Sequence, residues 1–386
     1  MTTPRLWAGA TTPALATLAL AVLAVAACTA GGAPTSPISP ASSPTVASST
    51  PTASVPAPSV TVRPSPSSPL PATGWVELSA TTPAPAPREN HSWTVDPGAE
   101  VAYLFGGRDG ATVFGDLWAY DLALDAWTEI EPDSDGPPAR FGHSAAWVPD
   151  IGLVVFAGQA APDRFFNDVW AYDPATNAWT ALPGAGDAPL PRYGSCAALG
   201  PDGRLWISHG FTQEGNRYAD TRTYDFRTGI WTDVTPAGDV PIARCLHGCF
   251  WMPGGDRLVL YGGQTTGVTA LGDLWALSPG GAWAQLESPP TSPRNLYAFT
   301  PRASDTIVFG GADADGGFPT DTFAFARDLA YVRIDVAASP PGRRASQLVD
   351  DTTGGRVLLF GGSGEGGALA DVWELAIHAD ATAAVR

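Results

Sequence analysis

The chain has 386 residues and carries 21 basic against 38 acidic side chains, a formal charge of −17, and every basic residue is Arg. With a pI near 4.5 and no basic cluster it has no electrostatic footprint for a nucleic-acid backbone, and its globular part is repelled by an anionic lipid surface. Gly 43 and Pro 38 are high, yet 44% of residues are hydrophobic and 14 are Trp, which excludes general disorder and points to a large, turn-rich β domain with an unstructured attachment.

Residues 14–27 form a 14-residue apolar run preceded by Arg5, too short for a ~30 Å hydrocarbon core but suited to a signal peptide. It ends Val25-Ala26-Ala27-Cys28, which resembles the bacterial lipobox. That resemblance implies residues 1–27 as a lipoprotein signal, lipidation at Cys28 and anchoring to the cell membrane on its extracytoplasmic face; the alternative is an ordinary secretory signal with Cys28 incidental. Residues 28–72 follow as a Pro/Ser/Thr-rich disordered tether, since its 44 residues after Cys28 include 11 Pro, 11 Ser and a single charge, Arg63. Such a chain reaches ~3.1 Å per residue, roughly 130 Å, and its composition also permits O-glycosylation.

From residue 73 one pattern repeats. An Arg that opens a strand recurs at Arg88, Arg140, Arg192, Arg244, Arg294 and Arg343, spaced by 52, 52, 52, 50 and 49 residues. Each is followed by a small doublet at Gly106-Gly107, Ala157-Gly158, His209-Gly210, Gly262-Gly263, Gly310-Gly311 and Gly361-Gly362. An Asp then opens a third strand at Asp116, Asp168, Asp220, Asp273, Asp321 and Asp371, and an aromatic opens a fourth at Trp127, Trp179, Trp231, Trp283 and Tyr331. The sixth aromatic is missing after Asp371, while Trp75 stands unmatched before the first repeat. The strand at Trp75 therefore completes the last blade. A period of about 50 residues means a propeller or solenoid, and ring closure by one borrowed strand selects a six-bladed β-propeller. Its expected span is residues 73–378, with residues 379–386 as a C-terminal tail.

The glycine doublet, the run Asp116-Leu-Trp-Ala-Tyr-Asp121 and its counterpart Asp168-Val-Trp-Ala-Tyr-Asp173, and the spaced Trp127 and Trp179 resemble the kelch repeat. Blade 3 departs with His209 and Arg222, blade 5 with Phe323 and Tyr331. The resemblance implies an all-β kelch-type β-propeller acting as a monomeric binding module for an envelope or extracellular protein, peptide or glycan. The propeller is also similar to that of galactose oxidase, and six-bladed sialate epimerases share it, so a sugar-modifying enzyme is the rival reading. No copper set can be assembled by motif, because Tyr120, Tyr172 and Tyr224 are accounted for by the repeat.

Standard catalytic signatures are absent from the sequence, and no cofactor or metal site is expected. Asp313-Ala-Asp315-Gly-Gly begins like a calcium loop, but Ala324 occupies the place of the bidentate carboxylate, so a loop-tip turn is expected. His91, His143 and His247 each follow a repeat Arg by three residues and are read as structural. The six repeat arginines, Arg88, Arg140, Arg192, Arg244, Arg294 and Arg343, are the candidate ligand-binding residues: one per blade forms a cationic ring at the channel mouth. The competing expectation pairs each with an acidic residue such as the repeat Asp. Specificity is placed in the loops after the doublets, residues 108–115, 159–167, 211–219, 264–272, 312–320 and 363–370. Cys196 and Cys249 sit at plus four and plus five from adjacent repeat arginines, on strands that face each other or both face away. A disulfide between them is preferred, with Cys245 outside the bond or pairing instead, against three separate buried thiols.

Overall fold

A computed structural model describes residues 74–79, 81–212, 215–267 and 269–376. The expected leader, the lipobox at Cys28, the tether and the C-terminal tail lie outside the described residues.

Six four-stranded antiparallel sheets form the body. Blade 1 runs Ser92–Asp96, Val101–Phe105, Leu117–Asp121 and Ala126–Ile130, and the order repeats through blades 2 to 5. Blade 3 carries one extra short strand, Ala185–Gly186, parallel to its outer strand. The innermost strands, Ser92–Asp96, Ser144–Val148, Cys196–Leu199, Gly248–Trp251, Ala298–Pro301 and Gln347–Asp351, neighbour one another around a central channel.

Blade 6 is closed by the N-terminal strand Trp75–Glu77, which pairs antiparallel with Val372–Ala376 in the register Trp75 to Leu375. Trp75 is 2% exposed and its indole N–H donates to Thr322 Oγ1 at 2.9 Å. A second clasp joins last blade to first: Arg356 donates to Asp125 of blade 1 and the Leu122 carbonyl while also binding Asp351 and Glu374.

The outer aromatics seal the blades to each other. Trp179 packs on Phe105 of blade 1 at 5.2 Å between ring centroids, Trp231 on Phe156 of blade 2 at 5.2 Å, and Trp127 on Phe360 of blade 6 at 4.9 Å. Each flat ring covers the second strand of the preceding blade, where a sheet alone leaves a gap.

Five of the six repeat arginines lie outside the strands, and Arg294 begins only a two-residue strand, Arg294–Asn295, ahead of its blade's innermost strand. Arg88 stands four residues before Ser92–Asp96, in the segment that enters the blade, and the other five hold the equivalent place. Two residues after each Arg the chain turns left-handed, at Asn90, Gly142, Gly194, Leu246, Leu296 and Ala345, with φ between 53° and 61°. These six residues form a closed ring of backbone hydrogen bonds about the axis. The Asn90 amide donates to Ala345 (3.0 Å), Gly142 to Asn90 (2.8 Å), Gly194 to Gly142 (2.9 Å), Leu246 to Gly194 (2.8 Å), Leu296 to Leu246 (3.0 Å) and Ala345 to Leu296 (2.7 Å).

Candidate functional site

The repeat arginines stand at the mouth end of the channel but do not present their charge to it. Arg88 is fully buried; Nη1 and Nη2 donate to Asp116 Oδ1 and Oδ2 at 2.7 and 2.8 Å, Nη1 also to the Gly106 carbonyl, and Nε to the Ala86 carbonyl. The same pattern joins Arg140 to Asp168, Arg192 to Asp220, Arg244 to Asp273, Arg294 to Asp321 and Arg343 to Asp371. Phe114 and Phe166 lie under the guanidiniums of Arg88 and Arg140. The expected ligand ring of Arg88, Arg140, Arg192, Arg244, Arg294 and Arg343 is thereby corrected. Each guanidinium is spent on its own blade, tying the entering segment to the doublet and to the third strand.

The Asp-x-Trp run now has a physical meaning. Asp116 Oδ2 also accepts from the Trp118 indole at 2.8 Å, and Asp168, Asp273 and Asp371 do the same with Trp170, Trp275 and Trp373. In blade 3 Arg222 Nε supplies the missing donor to Asp220 at 2.8 Å, so the departure from the repeat keeps the bond. Burial opposes ionisation of Asp116, Asp168, Asp220, Asp273 and Asp371, yet the hydrogen bonds from their arginines prevail and hold each below the usual carboxylate range.

Both doublet residues have positive φ: Gly106 and Gly107 stand at 64° and 97°, and Ala157 and His209 adopt 63° and 58° in the first position. A Cβ on Gly107 would fall 2.8 Å from that of His91, which is why the second position is Gly in all six repeats. His91 and His143 pack edge-on against Phe360 and Phe105 of the preceding blades, and His247 against His209. Burial pushes His143 down to about 3 and His209 to about 4, and His91 and His247 well below their ordinary value, so all four are neutral at pH 7. Among the described residues no three His, Cys, Asp or Glu are grouped to hold a metal. Tyr120, Tyr172 and Tyr224 lie in third strands and donate to Asp125, Asn177 and the Pro183 carbonyl, away from one another. Asp313 caps the amides of Asp315 and Gly317, forming the turn expected at that loop tip.

The axial cavity, about 160 Å³, is lined by the left-handed ring and the inner strands, including His91, Ser92, His143, Ser195, His247 and Tyr297, and by none of the six arginines. Above the ring, the residue directly after each repeat Arg bridges to the residue directly after each doublet: Glu89 with Arg108, Phe141 with Gln159, Tyr193 with Phe211, Cys245 with Gln264, Asn295 with Ala312, Arg344 with Ser363. This column was not singled out from the sequence. The signal was available, because it stands beside an invariant Arg and differs in every repeat.

The mouth it builds is chemically mixed. Arg108 binds Glu89 at 2.8 Å and lies over Phe141, 4.4 Å from the ring centroid, while Arg344 approaches Glu89 from the other side at 3.8 Å. Phe141 and Tyr193 meet at 5.7 Å, and burial raises the Tyr193 phenol above its usual range. Opposite them Asn295 donates to Gln264 at 3.3 Å, and Cys245 Sγ lies 3.9 Å from the Gln264 carbonyl. Beneath the mouth, Cys196 and Cys249 are disulfide-bonded between the inner strands of blades 3 and 4, with Cα atoms 5.6 Å apart.

The description "KLHDC2/KLHL20/DRC7 Kelch-repeats domain" fits residues 70–263, half of the chain and the first three blades with part of the fourth. The chain belongs to the kelch-repeat family. It is similar to the dynein alpha chain of the flagellar outer arm of Chlamydomonas reinhardtii, 30% identical over 320 residues that make up 75% of this chain and 7% of that protein. It is 28% identical over 208 residues to the Rab9 effector protein with kelch motifs of Bos taurus, covering 50% of this chain and 54% of the relative. Kelch domain-containing protein 3 of Rattus norvegicus matches at 27% over 260 residues, 61% of this chain and 66% of that protein. The chain thus spans about half to two thirds of the two shorter relatives and a small part of the dynein chain. As a kelch propeller it has the architecture of a protein-interaction module.

Proposed function

We propose that this kelch protein is an exported, lipid-anchored envelope protein that binds a protein, peptide or glycan at the channel mouth. The observation that carries the reading is the contrast between scaffold and column. Six Arg–Asp pairs and six doublets build the same frame six times, while the adjacent positions Glu89, Phe141, Tyr193, Cys245, Asn295 and Arg344 carry six different side chains. A frame of that kind displays a surface of mixed charge, aromatic and amide character, which suits recognition of a polypeptide segment. The lipobox ending at Cys28 and the Pro/Ser/Thr-rich stretch after it support export and tethering. The Cys196–Cys249 bond suits an oxidising compartment.

Site-specific photo-crosslinking in intact cells tests the binding face. A cross-linker at Tyr193 is expected to yield partner adducts. The same group at Leu124, 74% exposed in the turn between third and outer strands at the opposite end, is expected to yield none. Adducts at Leu124 with none at Tyr193 would reject the mouth. For the anchor, fatty-acid labelling is expected to mark the wild-type chain and not Cys28→Ser; an unlabelled wild type would refute lipidation.

A further inference from the structure

The left-handed ring divides the axial channel: the mouth column stands above it, and the cavity of about 160 Å³ lies at and below it. Thr94 and Gln347 bring a half-buried hydroxyl and amide to the cavity wall. Four further lining residues, from four different blades, carry buried polar atoms with no hydrogen-bond partner: Ser195 Oγ, Ser346 Oγ, His143 Nδ1 and both ring nitrogens of His91. Each such atom costs stability unless a partner reaches it. Their neighbours are already organised. His143 Nε2 shares a hydrogen bond with Ser92 Oγ at 2.9 Å, and the Ser144 hydroxyl donates to the Ser195 carbonyl at 2.8 Å. The described lining residues include no Asp, Glu or Arg, and burial keeps His91, His143 and His247 neutral at pH 7. Tyr297 spends its hydroxyl on the Tyr261 carbonyl and the Gly248 amide, so Tyr297 and Phe299, whose rings stand 6.0 Å apart, offer the cavity ring carbon alone.

We propose that this cavity binds a small neutral molecule bearing several hydroxyl groups, a polyol or a single sugar ring. A hydroxyl both donates and accepts, so it answers the Thr94 hydroxyl, the Gln347 amide and an imidazole in either tautomer. The carbon faces of such a molecule pack on Tyr297 and Phe299. An ion is disfavoured, because it would give up its hydration with no counter-charge among the described lining residues, and no three described His, Cys, Asp or Glu are grouped to hold a metal. The size fits as well. One water takes roughly 10–15 Å³ of such space, so the cavity admits on the order of ten heavy atoms, one small ring and not a chain. The inference concerns the channel beneath the ring and does not require the interaction reading, which concerns the mouth above it.

Saturation-transfer NMR on the full chain at pH 7, with erythritol and D-xylose as probes, tests it. Both are expected to give a transfer signal that saturates with concentration, and erythronate, the carboxylate of erythritol's size, is expected to give none. Ala145→Leu adds bulk to the cavity wall and is expected to remove the signal, while Arg333→Met, whose side chain is 73% exposed, keeps it. Should Ala145→Leu fail to fold, Ser195→Ala deletes one lining hydroxyl and is expected to weaken the apparent xylose affinity at least fivefold. The absence of a saturable signal from either probe assigns the cavity to water alone and overturns the site. An undiminished signal in the cavity variants, or erythronate binding as well as erythritol, overturns it too. Cross-linking at Tyr193 is read separately: missing adducts with the polyol signal intact reject the mouth, and adducts without a polyol signal reject the cavity.

Discussion

Each repeat arginine solves a local accounting problem. The segment entering a blade and the doublet leaving its second strand both expose carbonyls toward the interior, and one guanidinium satisfies both while its fork engages the repeat Asp. Removing one partner strands the other. Arg140→Met is therefore expected to cost about 3–5 kcal/mol in urea unfolding, because Asp168 loses its two strongest donors. The ring beneath the mouth is equally intolerant. A Cβ on Gly142 would lie 1.9 Å from Tyr193 Cε2, and Gly142 already has φ 59°. Gly142→Ala is expected to destabilise the fold and to displace Tyr193, read as a change in the near-UV circular dichroism of the mouth aromatics.

Two elements hold the ring of blades shut at different places. The strand Trp75–Glu77 supplies the outer edge of blade 6 and sinks Trp75 against Phe309 of blade 5 at 5.4 Å. Trp75→Ala is expected to cost about 3–5 kcal/mol, and deletion of residues 74–78 more, since the deletion also exposes the edge of Val372–Ala376. The disulfide acts instead on the unfolded chain: linking residues 53 apart removes loop entropy worth about 4 kcal/mol. Cys196→Ser with Cys249→Ser should lower the urea midpoint by a corresponding amount, and reductant should bring wild type to the same curve. A reductant effect that persists in the double variant would assign the difference to another cause.

For the whole molecule, acid is the expected weakness. His91, His143, His209 and His247 stay neutral in the fold but titrate near 6.5 once exposed, so the unfolded chain binds their protons first. Their folded values are depressed by burial, so their contribution is complete above pH 6.5 and is lost as pH falls below it, for His143 and His209 down to about 3 and about 4. Each supplies a slope of up to about 1.4 kcal/mol per pH unit. The depressed repeat aspartates add a second loss below their ordinary value near 3.8. Stability measured by urea at pH 7, 6 and 5 is expected to decline steadily. A flat profile from pH 7 to 5 would show that the histidines are protonated in the folded state.

The sixfold register, the blade count and closure by Trp75 were legible in the chain, because a propeller writes one blade per repeat and the borrowed strand leaves one unmatched motif at each end. The doublets and Asp-x-Trp runs were legible for the same reason, since each position solves the same local problem six times. The direction of the arginine side chains was not. Whether Arg88 faces the axis or Asp116 depends on how the segment entering the blade folds over the third strand, 28 residues away, and no repeat pattern distinguishes the two. The mouth column was hidden by the reverse effect: its six members share a place but no chemistry, so periodicity passes over them. The left-handed ring exists only once the blades stand side by side, because each of its hydrogen bonds needs a partner on a neighbouring blade.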